Sequence, residues 1–180
     1  MSHPESALCA LARKALESIP KLGLIVGALG ISLMVIMIIA EIISTKLFNF
    51  SLPYVLEYSE YLIPIIVFWG ATYTLSREGH VRADIFVHRL PHPTREWVIL
   101  IGYVLGLVFL IVVSKHMFDV AWLSFKLNRH SFYPTPSPLG PPQMAAVLGL
   151  GLFTLQLLIE IVKKARQLYV RYQLDSPPRS

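Results

Sequence analysis

Four apolar stretches divide the chain, at residues 22–40, 61–75, 98–114 and 144–162. The first is a run of 19 residues without a charge. A hydrocarbon core about 30 Å thick needs roughly 20 apolar residues of helix to cross it. Lipid offers no partner to a bare amide or carbonyl, so such a run must satisfy its own backbone as a helix. The pattern predicts an all-α integral membrane protein with four transmembrane helices. It forms one domain over 1–180, with spans at about 21–45, 54–76, 97–123 and 143–164 and a cytoplasmic tail at 165–180.

Within this frame the glycines are placed for packing. Gly23 and Gly27 lie four residues apart in the first span, with Gly30 three further on, and Gly102 and Gly106 repeat the spacing in the third. Small residues at this spacing let helices approach closely where no hydrophobic effect drives them together. The first helix is expected from about Pro20 to about Thr45, with Glu41 at its outer end, and the second after Pro53, with Glu57 and Glu60 near its start. Pro64 cannot donate to the Glu60 carbonyl, which predicts a kink and a freed carbonyl beside a carboxylate.

The second connection, residues 77–96, is the most polar segment. Val81, Ile85, Phe86 and Leu90 share one helical face, away from Arg82 and Arg89. That predicts a short amphipathic cytoplasmic helix, ended by Pro91 and Pro93. Trp97 then marks the interface where the third helix enters. The third connection holds Pro134, Pro136, Pro138, Pro141 and Pro142 and is expected to be extended and stiff.

Charge sets the orientation. Of the 16 lysines and arginines, 12 fall in the two tails and the second connection, and 4 in the first and third. Positively charged short segments stay in the cytoplasm, so both termini are expected there. The first span is too long for a signal-peptide core and no small-residue cleavage site follows it, so it is expected to be retained. Only 15% of residues are charged, against about 25% in soluble domains. The net charge of +5 is not a nucleic-acid footprint, because the basic residues do not gather on one folded face. The single cysteine, Cys9, excludes an intrachain disulfide or a cysteine metal cluster.

Catalytic chemistry finds no residues here, and the chain is not expected to be an enzyme. There is no phosphate-cradling glycine loop and no nucleophile with a nearby base. No pair of span histidines stands ready to ligate haem. His80, His88 and His92 lie in a segment broken by prolines, so neither a metal nor a cofactor is expected in this chain. Midplane polarity is sparse, limited to Ser32 and Thr72, whereas ion-coupled transporters gather polar groups there. Four apolar helices of this kind suit a subunit of a larger membrane complex. The alternatives are a self-associating small transporter or channel, with Glu60 or Glu41 as its acid, and a membrane anchor of a respiratory complex.

One segment carries a family resemblance. Trp69-Gly70-Ala71, then Arg77-Glu78-Gly79-His80-Val81-Arg82-Ala83-Asp84-Ile85 and Leu90-Pro91, resembles the small membrane subunit (DctQ-like) of tripartite ATP-independent periplasmic (TRAP) transporters. Val81 and Ala83 stand where that family usually has Ile and Val. Glu60 matches a family carboxylate near the start of the second span. Ser137-Pro138-Leu139-Gly140-Pro141-Pro142 and Leu155-Gln156 resemble its fourth-span approach.

The resemblance implies a scaffold role in the bacterial inner membrane. A periplasmic binding protein would capture an organic acid, commonly a carboxylate. A large membrane subunit would carry the substrate and sodium sites and move, while this chain widens the static part. Glu60, Gly70, Gly79, His80, Arg82 and Asp84 are then the candidate motif or subunit-interface residues, and Gly23, Gly27, Gly102 and Gly106 the helix-packing ones. Arg82 and Asp84 stand two apart, so on a helix they face different partners.

Overall fold

A computed structural model describes residues 4–77, 92–133 and 136–175. They form four helices: α1 (Pro4–Phe48), α2 (Pro53–Ser76), α3 (His92–Lys126) and α4 (Gly140–Asp175). Three are long and apolar enough to cross a membrane, over Ser18–Phe48, Trp97–Lys126 and Gly140–Val170. The 24-residue α2 is shorter and carries Glu57 and Glu60 in its first two turns.

The helices pack as an open row. α2 lies between α1 and α4, α3 packs on α4, and α1 only brushes α4. Successive helices run antiparallel, which leaves α2 and α4 parallel.

A glycine seam sets the register of α1 on α2. A methyl on Gly23 would overlap the Trp69 carbonyl oxygen and come 3.3 Å from Thr72 Cβ. One on Gly27 would sit 3.4 Å from Gly70 Cα, and one on Gly30 would lie 2.7 Å from Ile66 Cγ1. Without side chains at these positions the two backbones lie close, and dispersion contacts replace the hydrophobic drive that lipid cannot supply.

The seam between α2 and α4 works differently. The Trp69 indole lies against Gly149, where a methyl would come 2.6 Å from its Nε1. The indole N–H donates to the Ala145 carbonyl one turn earlier, at 3.0 Å. Between α3 and α4, Ser114 and Thr154 share a hydroxyl contact at 3.2 Å. At the loop end of this pair, Gly140 presses on Phe125, whose Cα would be 3.1 Å from an added methyl.

Three expectations about the helices change. α1 begins at Pro4, not near Pro20, and passes through Pro20 without a break. A proline removes one helical hydrogen bond but does not have to end a helix whose neighbours hold it. α3 starts at His92 rather than near Trp97, with Pro93 in the first turn, where its missing N–H costs nothing. The expected pair Gly102 and Gly106 is not a close-packed seam within this chain. A methyl on Gly102 meets nothing within 4 Å, and one on Gly106 makes an ordinary 3.7 Å contact with Leu157. The face of α3 that carries Gly102 points away from α4.

The α3–α4 connection also differs from the extended loop expected. Asn128 turns the chain with φ 48°, a conformation asparagine tolerates better than most residues. Residues 129–131 and 137–139 then pair antiparallel. Leu139 N–H donates to the Arg129 carbonyl at 2.9 Å, and Ser131 N–H to the Ser137 carbonyl at 3.0 Å. Pro138 sits opposite His130 in this bridge. The donors come from Ser131 and Leu139, so the prolines are not asked for hydrogens they lack. The expected amphipathic helix falls on residues 78–91, outside the described residues.

Candidate functional site

Three carboxylates stand toward the loop end of the row, and two of them, Glu41 and Glu60, take hydrogen bonds from another segment. Glu41, near the end of α1, reaches across the turn to α2. Its Oε2 accepts the Leu52 amide at 2.7 Å, and its Oε1 accepts the Ser51 hydroxyl at 2.9 Å and the Thr45 hydroxyl at 3.1 Å. Leu52 is the residue just before α2 and has no capping side chain of its own. Glu41 therefore acts as a borrowed N-cap, taking up an amide that the helix cannot satisfy. Glu41→Ala is expected to loosen this turn. Amide exchange over residues 52–55, read by mass spectrometry, should speed up by about fivefold, while exchange inside α4 stays unchanged.

Glu60 is exposed and accepts the Tyr133 hydroxyl at 2.7 Å. That bond holds the Tyr133 hydroxyl above its ordinary pKa, because ionising it would place a second negative charge against the carboxylate. Tyr58 adds a long contact to the Ser137 hydroxyl at 3.4 Å. Together these contacts fasten the α3–α4 connection over the start of α2.

Glu57 is the unexpected member. It is fully buried under that connection. Its Oε1 accepts the Tyr61 hydroxyl at 2.8 Å. The Ser131 and Ser137 hydroxyls and the Ser137 amide turn toward the carboxylate, yet Oε2 takes no hydrogen bond among the described residues. Sequence reasoning treated Glu57 as one of two carboxylates near a helix start. Its burial depends on the loop of Ser131 and Ser137, 74 and 80 residues further along the chain, folding back. The available signal was the four-residue spacing of Glu57 and Tyr61, which places a donor on the same face.

The other expected residues are scattered. Gly23 and Gly27 meet Trp69 and Gly70 in the α1–α2 seam, while Glu60 stands at the opposite end of α2. Gly70 itself has open space where a side chain would project. Gly79, His80, Arg82 and Asp84 lie outside the described residues. Among the described residues no three His, Cys, Asp or Glu side chains gather to hold a metal. Sequence reasoning also missed Gly149. Ala145 and Gly149 stand four apart, the same small-residue spacing that identified Gly23 and Gly27.

The far end of α4 holds a smaller polar chain. Lys163 Nζ pairs with Glu160 Oε1 at 2.8 Å, and the same oxygen accepts the buried Gln156 amide at 3.1 Å.

Long apolar helices and broad apolar faces on α1 and α3, with the carboxylates near helix ends, define a membrane protein with no visible reaction centre among the described residues. The family match makes this specific. Residues 34–167 match the family described as Tripartite ATP-independent periplasmic transporters, DctQ component. The match covers most of the chain, and the protein belongs to that family: it is the small subunit of a TRAP transporter. The family is one of transporter components, not of enzymes. No curated protein matches the chain.

Proposed function

We propose that this subunit is a static brace within a secondary transporter of the bacterial inner membrane. It works beside a large membrane subunit and a periplasmic solute-binding protein. The large subunit carries the solute and sodium sites, and the cargo is an organic acid, most often a carboxylate. The chain crosses the bilayer four times with both termini in the cytoplasm. α2 supplies the fourth crossing: 24 residues of helix reach about 36 Å, more than the hydrocarbon thickness. Its two glutamates stay within the first two turns, at the outer interface.

The observation that carries this reading is the set of three helix seams described above. Inside the row, glycine meets backbone, indole and isoleucine, and the Trp69 indole and the Ser114 and Thr154 hydroxyls are tied to a carbonyl or to one another. Such a wall leaves no wet path at mid-depth for a charged solute. Family membership supplies the moving partner that a wall of this kind would serve.

Two experiments test the proposal. Vesicles holding the purified chain alone, under an inward sodium gradient, should take up no labelled organic acid, and uptake should appear when the large subunit and binding protein are added. Uptake by the chain alone would refute the scaffold reading. Separately, alanine at His80, Arg82 or Asp84 should reduce the large subunit recovered with the tagged chain by about tenfold, or about 1.4 kcal/mol of association free energy. Unchanged recovery and uptake for all three would make that segment a solvated, orientation-setting loop.

A further inference from the structure

We infer that the pocket around Glu57 is a binding site for a single alkali cation, separate from any ion carried by the large subunit. The carboxylate is fully buried. One oxygen is occupied by Tyr61; the other, Oε2, has no hydrogen-bond partner among the described residues. A buried carboxylate oxygen without a partner is strongly disfavoured, so the site is chemically incomplete as the side chains stand.

The surroundings indicate what completes it. The Ser131 and Ser137 hydroxyls of the α3–α4 connection lie within reach of the carboxylate, and turning their hydrogens away would present oxygen atoms to a cation. Ser131 Oγ already accepts the Ser137 amide at 3.3 Å, which holds the two serines side by side. Oxygen ligands of this type suit hard cations. The charge count selects among them. Glu60 nearby is exposed and engaged by Tyr133, so the buried charge is that of Glu57 alone; it balances a single positive charge, whereas a divalent ion would leave a net charge buried. The competing state is a neutral, protonated carboxyl donating to a serine oxygen, and it predicts a melting midpoint indifferent to the alkali ion.

The cation would also join two parts of the fold. Glu57 belongs to α2, and both serines belong to the connection that Tyr133 and Tyr58 fasten from outside. Occupancy therefore tightens the loop end without moving solute, which separates this site from transport.

The test uses the full chain, purified without its companions in detergent micelles, so that no other subunit contributes an ion site. Melting is compared in sodium, potassium and choline chloride at equal ionic strength. Sodium or potassium should raise the midpoint by about 5 °C at saturation over choline, and radioactive sodium should bind at one per chain. Glu57→Gln should abolish both responses. Should that variant fail to fold, Ser137→Ala and Ser131→Ala decide, each raising the half-saturating concentration by about tenfold. Identical melting in all three salts, one-for-one binding retained in Glu57→Gln, or half-saturation unmoved in both serine variants would overturn the inference.

Discussion

Replacing Gly149 by leucine is expected to separate α2 from α4 and to be the most damaging single change in the row. The added side chain enters the space of the Trp69 indole, whose Nε1 would lie 2.6 Å from its Cβ. The indole cannot slide along the helix without breaking its bond to the Ala145 carbonyl. Overpacking costs about 1–3 kcal/mol, and the lost hydrogen bond about 1 kcal/mol more. In lipid no hydrophobic effect returns the helices to each other. Purified protein should melt well below wild type or elute as aggregate. Trp69→Ala alone should also destabilise, by leaving a cavity. The double variant should be less damaged than the sum of the two, because the missing ring makes room for the leucine. Strict additivity would place the damage outside this contact.

Gly23→Leu ranks second, and for a different reason. Its obstacle is backbone: the Trp69 carbonyl oxygen, with Thr72 Cβ beside it at 3.3 Å. A main-chain atom within a helix cannot step aside, so α1 must retreat from α2 along the whole seam. The expected cost is about 2–3 kcal/mol, read as a lower melting midpoint in detergent. Gly30→Ala faces only the end of the Ile66 side chain, which can rotate, and should cost less. Gly102→Leu should leave the isolated chain unaffected, since that face is open. Equal damage from Gly23→Leu and Gly102→Leu would rule out the seam as the cause.

These contrasts show how far a sequence can be read in lipid. The helices were legible because a bilayer forces long apolar runs to satisfy their own backbones. The Gly23, Gly27 and Gly30 stripe was legible because its spacing is local. Its partners Ile66, Trp69 and Gly70 were not, because register between helices is set by contacts some forty residues apart in sequence. The same rule overreached at Gly102 and Gly106: spacing marks a smooth face, not which neighbour uses it. Pro20 was read as a boundary although tertiary support carries α1 through it. Five prolines suggested a stiff extended loop, but the bridge needs donors only from Ser131 and Leu139. Without that fold-back nothing pointed to a buried Glu57. Glu41 was read only as a carboxylate at a helix end; its use as a cap for the next helix depended on the turn at Asn49, where φ is 51°.

The order of the helices in the row differs from their order of synthesis, and this constrains assembly on the ribosome. α2 meets α1 as soon as it is made. Among the described residues, α3 in contrast packs on no helix but α4, which is translated last. For about 3–10 s at ordinary synthesis rates, the nascent chain must hold α3 in the bilayer unaccompanied. None of its most apolar stretch is buried even in the finished fold, so this helix is suited to solitary insertion, and arrival of the final segment closes both remaining interfaces at once.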